Sequence, residues 1–184
     1  MKFKYSEYIG GNNVKIFRPT VPIVFKNNSK FIQTEAVIDS GADFTILPIE
    51  IAGILGIKLD GHRKAIFHGA GGNPFPVYPS PVNIEHILRQ SGFRTINWQA
   101  KVFFAESQPA ILLGHKGFLE KFRVTLDGKR KEVEISAWGA QWFIIFYIRS
   151  MDSLQFPVLI TNFKTYQSST GIKALELAKL HEEI

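Results

Sequence analysis

An acidic residue ends an apolar segment within residues 36–48 of this chain. Asp39 closes the segment, Ser40 and Gly41 follow, and apolar residues resume at Phe44. A carboxylate at the end of a buried strand is costly unless partners hold it, and a glycine beside it lets the backbone turn tightly and approach a ligand closely. These residue types occur in ordinary surface turns as well. The apolar residues on both sides favour a different structure, a carboxylate presented at the floor of a cleft.

Two motifs resemble those of the retropepsin-like aspartic proteases, the single-domain relatives of retroviral proteases. Residues 37–42 read Val-Ile-Asp-Ser-Gly-Ala, like the family's apolar-apolar-Asp-Thr/Ser-Gly-Ala, and residues 110–114 end in two leucines and a glycine, like its second hallmark. The resemblance covers roughly residues 15–136. It implies an all-β fold, a small closed β-barrel of the acid-protease type with one or two short helices. Residues 1–136 are then the protease domain, and residues 137–184 are a C-terminal extension ending in a helix.

The resemblance also implies roles for individual residues. The catalytic residue is Asp39, and its loop is supported by Ser40, Gly41 and Ala42. The strand that forms the floor beside this loop contains Leu112, Leu113 and Gly114. A flap over the substrate is formed by a glycine-rich hairpin tip, with His68, Gly69, Ala70, Gly71 and Gly72. His115 departs from the pattern, because relatives usually have Arg or Asn at this place.

One Asp39 per chain implies a dimer, because aspartic protease chemistry needs two carboxylates that share one proton. One carboxylate acts as the base on a water molecule and the other polarises the scissile carbonyl, since two like charges so close do not both ionise easily. The chain has no second Asp-Ser/Thr-Gly motif, so the second Asp39 comes from a two-fold-related copy. We therefore expect a homodimeric aspartic endopeptidase that acts on a peptide or protein substrate without a cofactor. The alternative is a catalytically inactive dimeric module that binds peptides or proteins.

The alanine at position 42 predicts how the activity depends on pH. Many pepsin-like sites have a hydroxyl residue at this place, and alanine has no group to donate to the charged pair of carboxylates. Hydrogen bonds to a carboxylate favour its ionised form, so their absence leaves the pair less acidic. We therefore expect activity that extends toward neutral pH.

The composition is that of a globular protein, with 184 residues of which 45% are hydrophobic. The absence of cysteine excludes disulfides, thiolate nucleophiles and zinc–thiolate sites. The first residues lack the apolar region of a signal peptide, and no apolar run approaches the ~18 residues of a membrane-spanning helix. We therefore expect a cytoplasmic protein with no membrane partner.

The remaining binding and catalytic chemistries lack the residues that they need. The net charge of +6 is scattered, apart from a cluster at residues 129–131, and no basic–aromatic interleaving indicates a nucleic-acid partner. The five histidines lack the helical spacing of a metal site, so no metal is expected. Residues 69–72 lack the lysine and the following helix of a P-loop, and a Ser-His-Asp triad lacks its Gly-x-Ser-x-Gly context.

Periodicity predicts mainly strands. Alternating or continuous apolar residues predict strands at 21–25, 31–38, 96–104 and 110–113. Turn residues predict hairpins at 27–30 and at 127–128. Prolines at positions 74, 76, 79 and 81 argue against a central strand there.

Two short helices and a β-prone tail complete the predicted structure. Helices are predicted after Pro48, ending at Gly56, and at residues 116–122. In the tail, residues 141–148 are strongly apolar, and we expect them to pack at an interface or under the core. Residues 172–183 have the spacing of a helix.

Overall fold

The computed structural model describes residues 1–69, 71–106 and 108–137, and these residues are mostly in strands. Ala70, Ser107 and residues 138–184 lie outside the described residues. The apolar, β-prone segment at 141–148 and the helix predicted at 172–183 therefore lie outside them too. No helix within the described part of the chain is long and apolar enough to cross a membrane.

Fourteen strands are formed by the described residues. The first seven are β1 Lys2–Lys4, β2 Ser6–Ile9, β3 Lys15–Arg18, β4 Thr20–Asn27, β5 Lys30–Ile38, β6 Ile46–Pro48 and β7 Ala65–His68. The others are β8 Pro74–Pro79, β9 Ile84–Leu88, β10 Ile96–Ala100, β11 Phe103–Ala105, β12 Ile111–Leu113, β13 Phe122–Asp127 and β14 Glu132–Ala137. One α-helix, α1, spans Ile49–Ile54, and short 3-10 turns occur at Gly11–Asn13 and Gly61–Arg63.

Nine of the strands form one large sheet, in the order β10-β9-β4-β5-β12-β6-β11-β8-β7. The N-terminal strand β1 joins the hairpin β13–β14 in a separate three-stranded sheet, and β2 pairs with β3. The order of the large sheet has two ends, β10 and β7, so the hydrogen-bond ladder of the described residues is not closed. The expected closed barrel is therefore wrong, although the expected all-β composition is confirmed.

The large sheet nevertheless curls strongly. Strand β10 lies at one end of the order and β11 lies six places away, yet only two residues connect Ala100 to Phe103. Three Cα–Cα steps span at most about 11 Å, whereas six strand spacings in a flat sheet span about 28 Å. The sheet must therefore fold back until the end of β10 lies beside the start of β11. A curled sheet of this kind encloses a core without a closing ladder.

The core is apolar and rich in aromatic side chains. Phe25, Phe104 and Phe118 are fully buried, and burial of such a side chain contributes about 1.5–3 kcal/mol. Trp98 packs against Phe118 and donates its indole N–H to the carbonyl of Gly117 at 2.8 Å. Trp98 thus connects strand β10 to the segment that follows β12.

Several local predictions are confirmed by the strand pairing. Strands β4 and β5 form the hairpin predicted at residues 27–30, and β13 and β14 form the hairpin predicted at Asp127 and Gly128. Helix α1 follows Pro48, and Gly56 has a left-handed φ of 65° just beyond its end.

Three local predictions are wrong. Residues 117–121 form turns instead of the helix predicted at 116–122, because Gly117 has a φ of 97° that a right-handed helix does not allow. The strand predicted at 96–104 is interrupted after Ala100. Strand β8 forms despite its prolines, because its ladders with β7 and β11 overlap only at Val77. Each proline of β8 therefore has a paired strand on one side only, and its missing N–H can face the other side.

Candidate functional site

The site is built by strand β12, which lies between β5 and β6. Leu112 and Leu113 run parallel to Val37 and Ile38 at the end of β5, and Leu112 pairs with Ile46 on the other side. The chain leaves β5 at Asp39 and returns in β6, so residues 39–45 loop around the end of β12. We call residues 39–45 the acidic loop. This topology explains why the apolar run at 110–113 accompanies the Asp-Ser-Gly motif.

Asp39 is half-buried at the first position of the acidic loop. Its Oδ1 accepts a hydrogen bond from the N–H of Gly41 at 2.8 Å, and its own N–H donates to the carbonyl of Leu113 at 3.1 Å. The N–H of Ala42 donates to the Asp39 carbonyl at 3.2 Å, which closes a tight turn. One carboxylate oxygen is therefore oriented by the backbone of its own loop.

The residues after β12 hold the other half of the acidic loop. His115 and Lys116 donate their backbone N–H groups to the carbonyls of Ala42 and Asp43, both at 2.9 Å. The N–H of Thr45 donates to the carbonyl of Lys116 at 3.1 Å. These backbone bonds fix the loop independently of side-chain identity.

Gly114 allows this close approach of the two segments. A Cβ atom at this position would lie within 2.6 Å of the carbonyl carbon and oxygen of Phe44 and of the carbonyl oxygen of Ala42. All three atoms belong to the backbone, so they could not move aside as a flexible side chain does. The N–H of Gly114 also donates to the buried hydroxyl of Thr45 at 3.3 Å. The predicted role of Gly114 as part of the floor beside the loop thus has a steric explanation.

His115 has a contact that the sequence did not predict. Its Nε2 lies 3.1 Å from the carbonyl oxygen of Ser40. Because the carbonyl only accepts, Nε2 must carry the hydrogen in this contact. The side chain therefore holds the residue after Asp39, and the only sequence signal was its departure from the family pattern.

The predicted flap is a β-hairpin of strands β7 and β8, paired from Ala65 with Val77 to His68 with Pro74. At its tip, Gly69 donates to the carbonyl of Asn73 at 3.1 Å, and Gly72 donates to that of Gly69 at 2.9 Å. Gly72 has a φ of 76°, which favours glycine. His68, Gly71 and Gly72 are exposed, Gly69 is half-buried, and Ala70 lies outside the described residues.

A group of phenylalanines, which we call the aromatic cluster, connects this hairpin to the acidic loop. Phe44 of the loop stacks on Phe67 of β7 with ring centroids 5.3 Å apart, and Phe103 of β11 contacts both rings at 5.0 and 4.8 Å. Phe75 of β8 meets Phe67 edge to face at 6.4 Å. Pairs of this kind add about 0.5–1.5 kcal/mol to the effect of burial. The sequence showed these residues only as apolar neighbours of the motifs.

The structure thus brings together Asp39, the backbones of the residues that follow it and the floor glycine, with an aromatic connection to the hairpin. Among residues 1–69, 71–106 and 108–137, no three His, Asp or Glu side chains are grouped so that they could hold a metal ion.

No protein-family model matches this chain, and no curated protein matches it at a significant level. Among solved structures, the chain is similar to EIAV protease in complex with the inhibitor HBY-793, with 23% sequence identity and a TM-score of 0.38. That match covers 53% of this chain and 82% of the EIAV protease chain.

Proposed function

We propose that this chain is an aspartic endopeptidase that works as a homodimer, with one Asp39 from each protomer. The observation that supports the proposal is the half-buried Asp39 at the end of β5, with one oxygen held by the N–H of Gly41 and the loop packed on Gly114. Catalytic carboxylates need a fixed orientation that leaves one oxygen for the reaction. The resemblance of residues 37–42 and 110–114 to retropepsin-like motifs supports the same assignment.

The proposed reaction divides the work between the two Asp39 carboxyl groups. The ionised carboxylate takes a proton from a water molecule, whose oxygen attacks the carbonyl carbon of the peptide bond. The protonated carboxyl of the other protomer donates its proton toward the carbonyl oxygen, which forms a tetrahedral diol. The first carboxyl then gives the proton that it took from water to the amide nitrogen, while the second carboxylate takes a proton from one hydroxyl of the diol. The carbonyl re-forms as the C–N bond breaks, and the products are a carboxylic acid and an amine.

In this proposal the peptide substrate lies extended between the acidic loops and the β7–β8 hairpin. Extended peptides bind through main-chain hydrogen bonds, and pockets recognise alternate side chains. The tip residues Gly71 and Gly72 are exposed, so a peptide can reach their backbones. Closure of a hairpin over the substrate would exclude water other than the nucleophile.

The test is the substitution Asp39→Asn in the full chain, with Asp43→Asn as the matched control. Asp43 is an exposed acid of the same loop whose backbone carbonyl, and not its carboxylate, accepts the hydrogen bond from Lys116. We expect Asp39→Asn to reduce cleavage of a peptide library by at least about 10²–10⁴-fold, measured by mass spectrometry. Asp43→Asn should retain cleavage.

The oligomeric state is measured on the same samples by analytical ultracentrifugation. We expect wild type and both variants to be dimers. Peptides that bind wild type and Asp39→Asn equally, with no cleavage by either, would establish the binding module instead. A monomeric wild type that cleaves peptides would contradict the shared dyad.

A further inference from the structure

A cavity of about 430 Å³ opens on the surface of the described chain, next to the aromatic cluster. Its apolar wall includes the rings of Phe44 and Phe103, which meet edge to face at 5.0 Å. The residues from Asp39 to Asp43 do not line it. The cavity therefore does not include the first five residues of the acidic loop, and its volume lies in the range of small-molecule sites.

Positive charge surrounds this cavity. Lys101, Lys116 and Lys121 line it, and Glu120 is its one acidic lining residue. The Glu120 carboxylate already accepts from the N–H of Gly117 at 3.0 Å and lies 4.0 Å from the ammonium of Lys121. In the described part of the chain, no ion pair engages Lys101 or Lys116. Two exposed lysines that have no ion pair in the described residues thus line the same cavity as Phe44 and Phe103.

We propose that this cavity binds a small aromatic anion, a planar ring that carries a phosphate, sulfonate or carboxylate group. The ring packs against Phe44 and Phe103, and the anionic group lies between Lys101 and Lys116. An aromatic wall gains from burying a flat apolar ring, while hydrogen bonds from ammonium groups to an anion are charge-assisted and stronger than neutral ones. The proposal does not depend on peptidase activity.

The backbone around the cavity is the same backbone that fixes the acidic loop. Lys116 donates to the carbonyl of Asp43, accepts from Thr45, and pairs with Phe44 in a parallel bridge. A ligand in the cavity therefore contacts the loop at Phe44 and the segment that holds it at Lys116. Because such a ligand binds the folded chain, it also raises the melting temperature.

The test uses the full chain and two probes, 8-anilinonaphthalene-1-sulfonate and 1-naphthyl phosphate. The sulfonate is titrated by fluorescence, and the phosphate is used as a competitor and in thermal unfolding. We expect saturable binding with one site per chain, displacement by 1-naphthyl phosphate, and weaker binding at high salt, because the attraction of charges is screened. The neutral analogue 1-naphthol should compete at least about tenfold less well, because it lacks the charged group.

Charge variants locate the site. The double substitution Lys101→Gln and Lys116→Gln should weaken binding of both probes by at least about tenfold. Lys129→Gln with Arg130→Gln removes the same charge at the exposed tip of the β13–β14 hairpin and should leave affinity within about twofold. Equal weakening by both double variants, equal competition by 1-naphthol, or no saturable binding would overturn the proposal. Unchanged thermal unfolding of the variants shows that the loss does not come from misfolding.

Discussion

We expect His86 to make the stability of this protein sensitive to acid. The ring is fully buried in β9, between Trp98, stacked at 5.0 Å, and Phe25, edge to face at 4.8 Å. Its Nδ1 lies 2.8 Å from the carbonyl of Ile84 and must donate to it, while Nε2 has no hydrogen-bond partner in the described residues. A proton on Nε2 would add a buried charge and a donor with no acceptor. Burial accordingly lowers the pKa of His86 from 6.5 to about 4, and the positive charge of Lys121 acts in the same direction.

The size of the effect follows from linkage. Between pH 6.5 and about pH 4 the unfolded chain binds a proton at His86 that the folded chain excludes, so the free energy of unfolding falls as the pH falls through this window. The full loss is about 3 kcal/mol, and about 2 kcal/mol of it occurs between pH 7 and pH 5. For a single domain this is a large fraction of the total stability.

The assay is urea unfolding followed by circular dichroism at several pH values from 7 to 5, with the variants His86→Gln and His62→Gln. Glutamine does not titrate, so we expect His86→Gln to lose about 2 kcal/mol less than wild type over this range, whatever its stability at pH 7. The exposed His62 provides the same substitution as a control, which should follow wild type. If His86→Gln loses stability in parallel with wild type, the buried neutral histidine is not the cause of the acid sensitivity.

Two further substitutions test how the site is supported, both by urea unfolding. Gly114→Ala forces a Cβ atom against the backbone of Phe44, and we expect the free energy of unfolding to fall by about 2–3 kcal/mol. Its control is Gly128→Ala, where a Cβ meets nothing within 4 Å, and we expect this variant to change stability by less than about 1 kcal/mol. Phe67→Ala removes the centre of the aromatic cluster and should cost about 2 kcal/mol, whereas exposed Phe93→Ala should stay within about 0.5 kcal/mol. If a variant and its control lose the same stability, the contact that the variant removes or disturbs does not stabilise the site.

The parts of the site that the sequence predicted depend on local patterns. The apolar strand that ends at Asp39 and the apolar run that ends at Gly114 are visible as short stretches of residue types, because a buried strand needs a continuous apolar segment. Their pairing in β5 and β12 agrees with the resemblance of residues 37–42 and 110–114 to known motifs. The glycine-rich hairpin was visible for the same reason, since its tip needs residues that tolerate a positive φ.

What the sequence did not show are relations between distant segments. Apolar and polar residues alternate over residues 96–104. The same alternation would occur in one continuous strand and in two strands with different neighbours that are separated after Ala100, because periodicity reports burial and not pairing. The order of the nine strands, and hence the open ladder, was hidden in the same way. The helix predicted at residues 116–122 had suitable apolar spacing, but Gly117 takes a left-handed φ that the spacing does not reveal.

The acid sensitivity of His86 bears on the pH at which the proposed peptidase works. Because Ala42 has no hydroxyl to donate to the Asp39 carboxylates, we expect activity that extends toward neutral pH. His86 lies in the core and not in the acidic loop, yet it opposes operation at strongly acid pH, because stability falls through the window from pH 6.5 to about pH 4. In His86→Gln this loss of stability is removed, whereas the ionisation of the carboxylates is unchanged. If the pH–rate profile of His86→Gln has the same optimum as wild type, the carboxylates determine that optimum. If the optimum shifts to acid pH, the stability of the fold determines it.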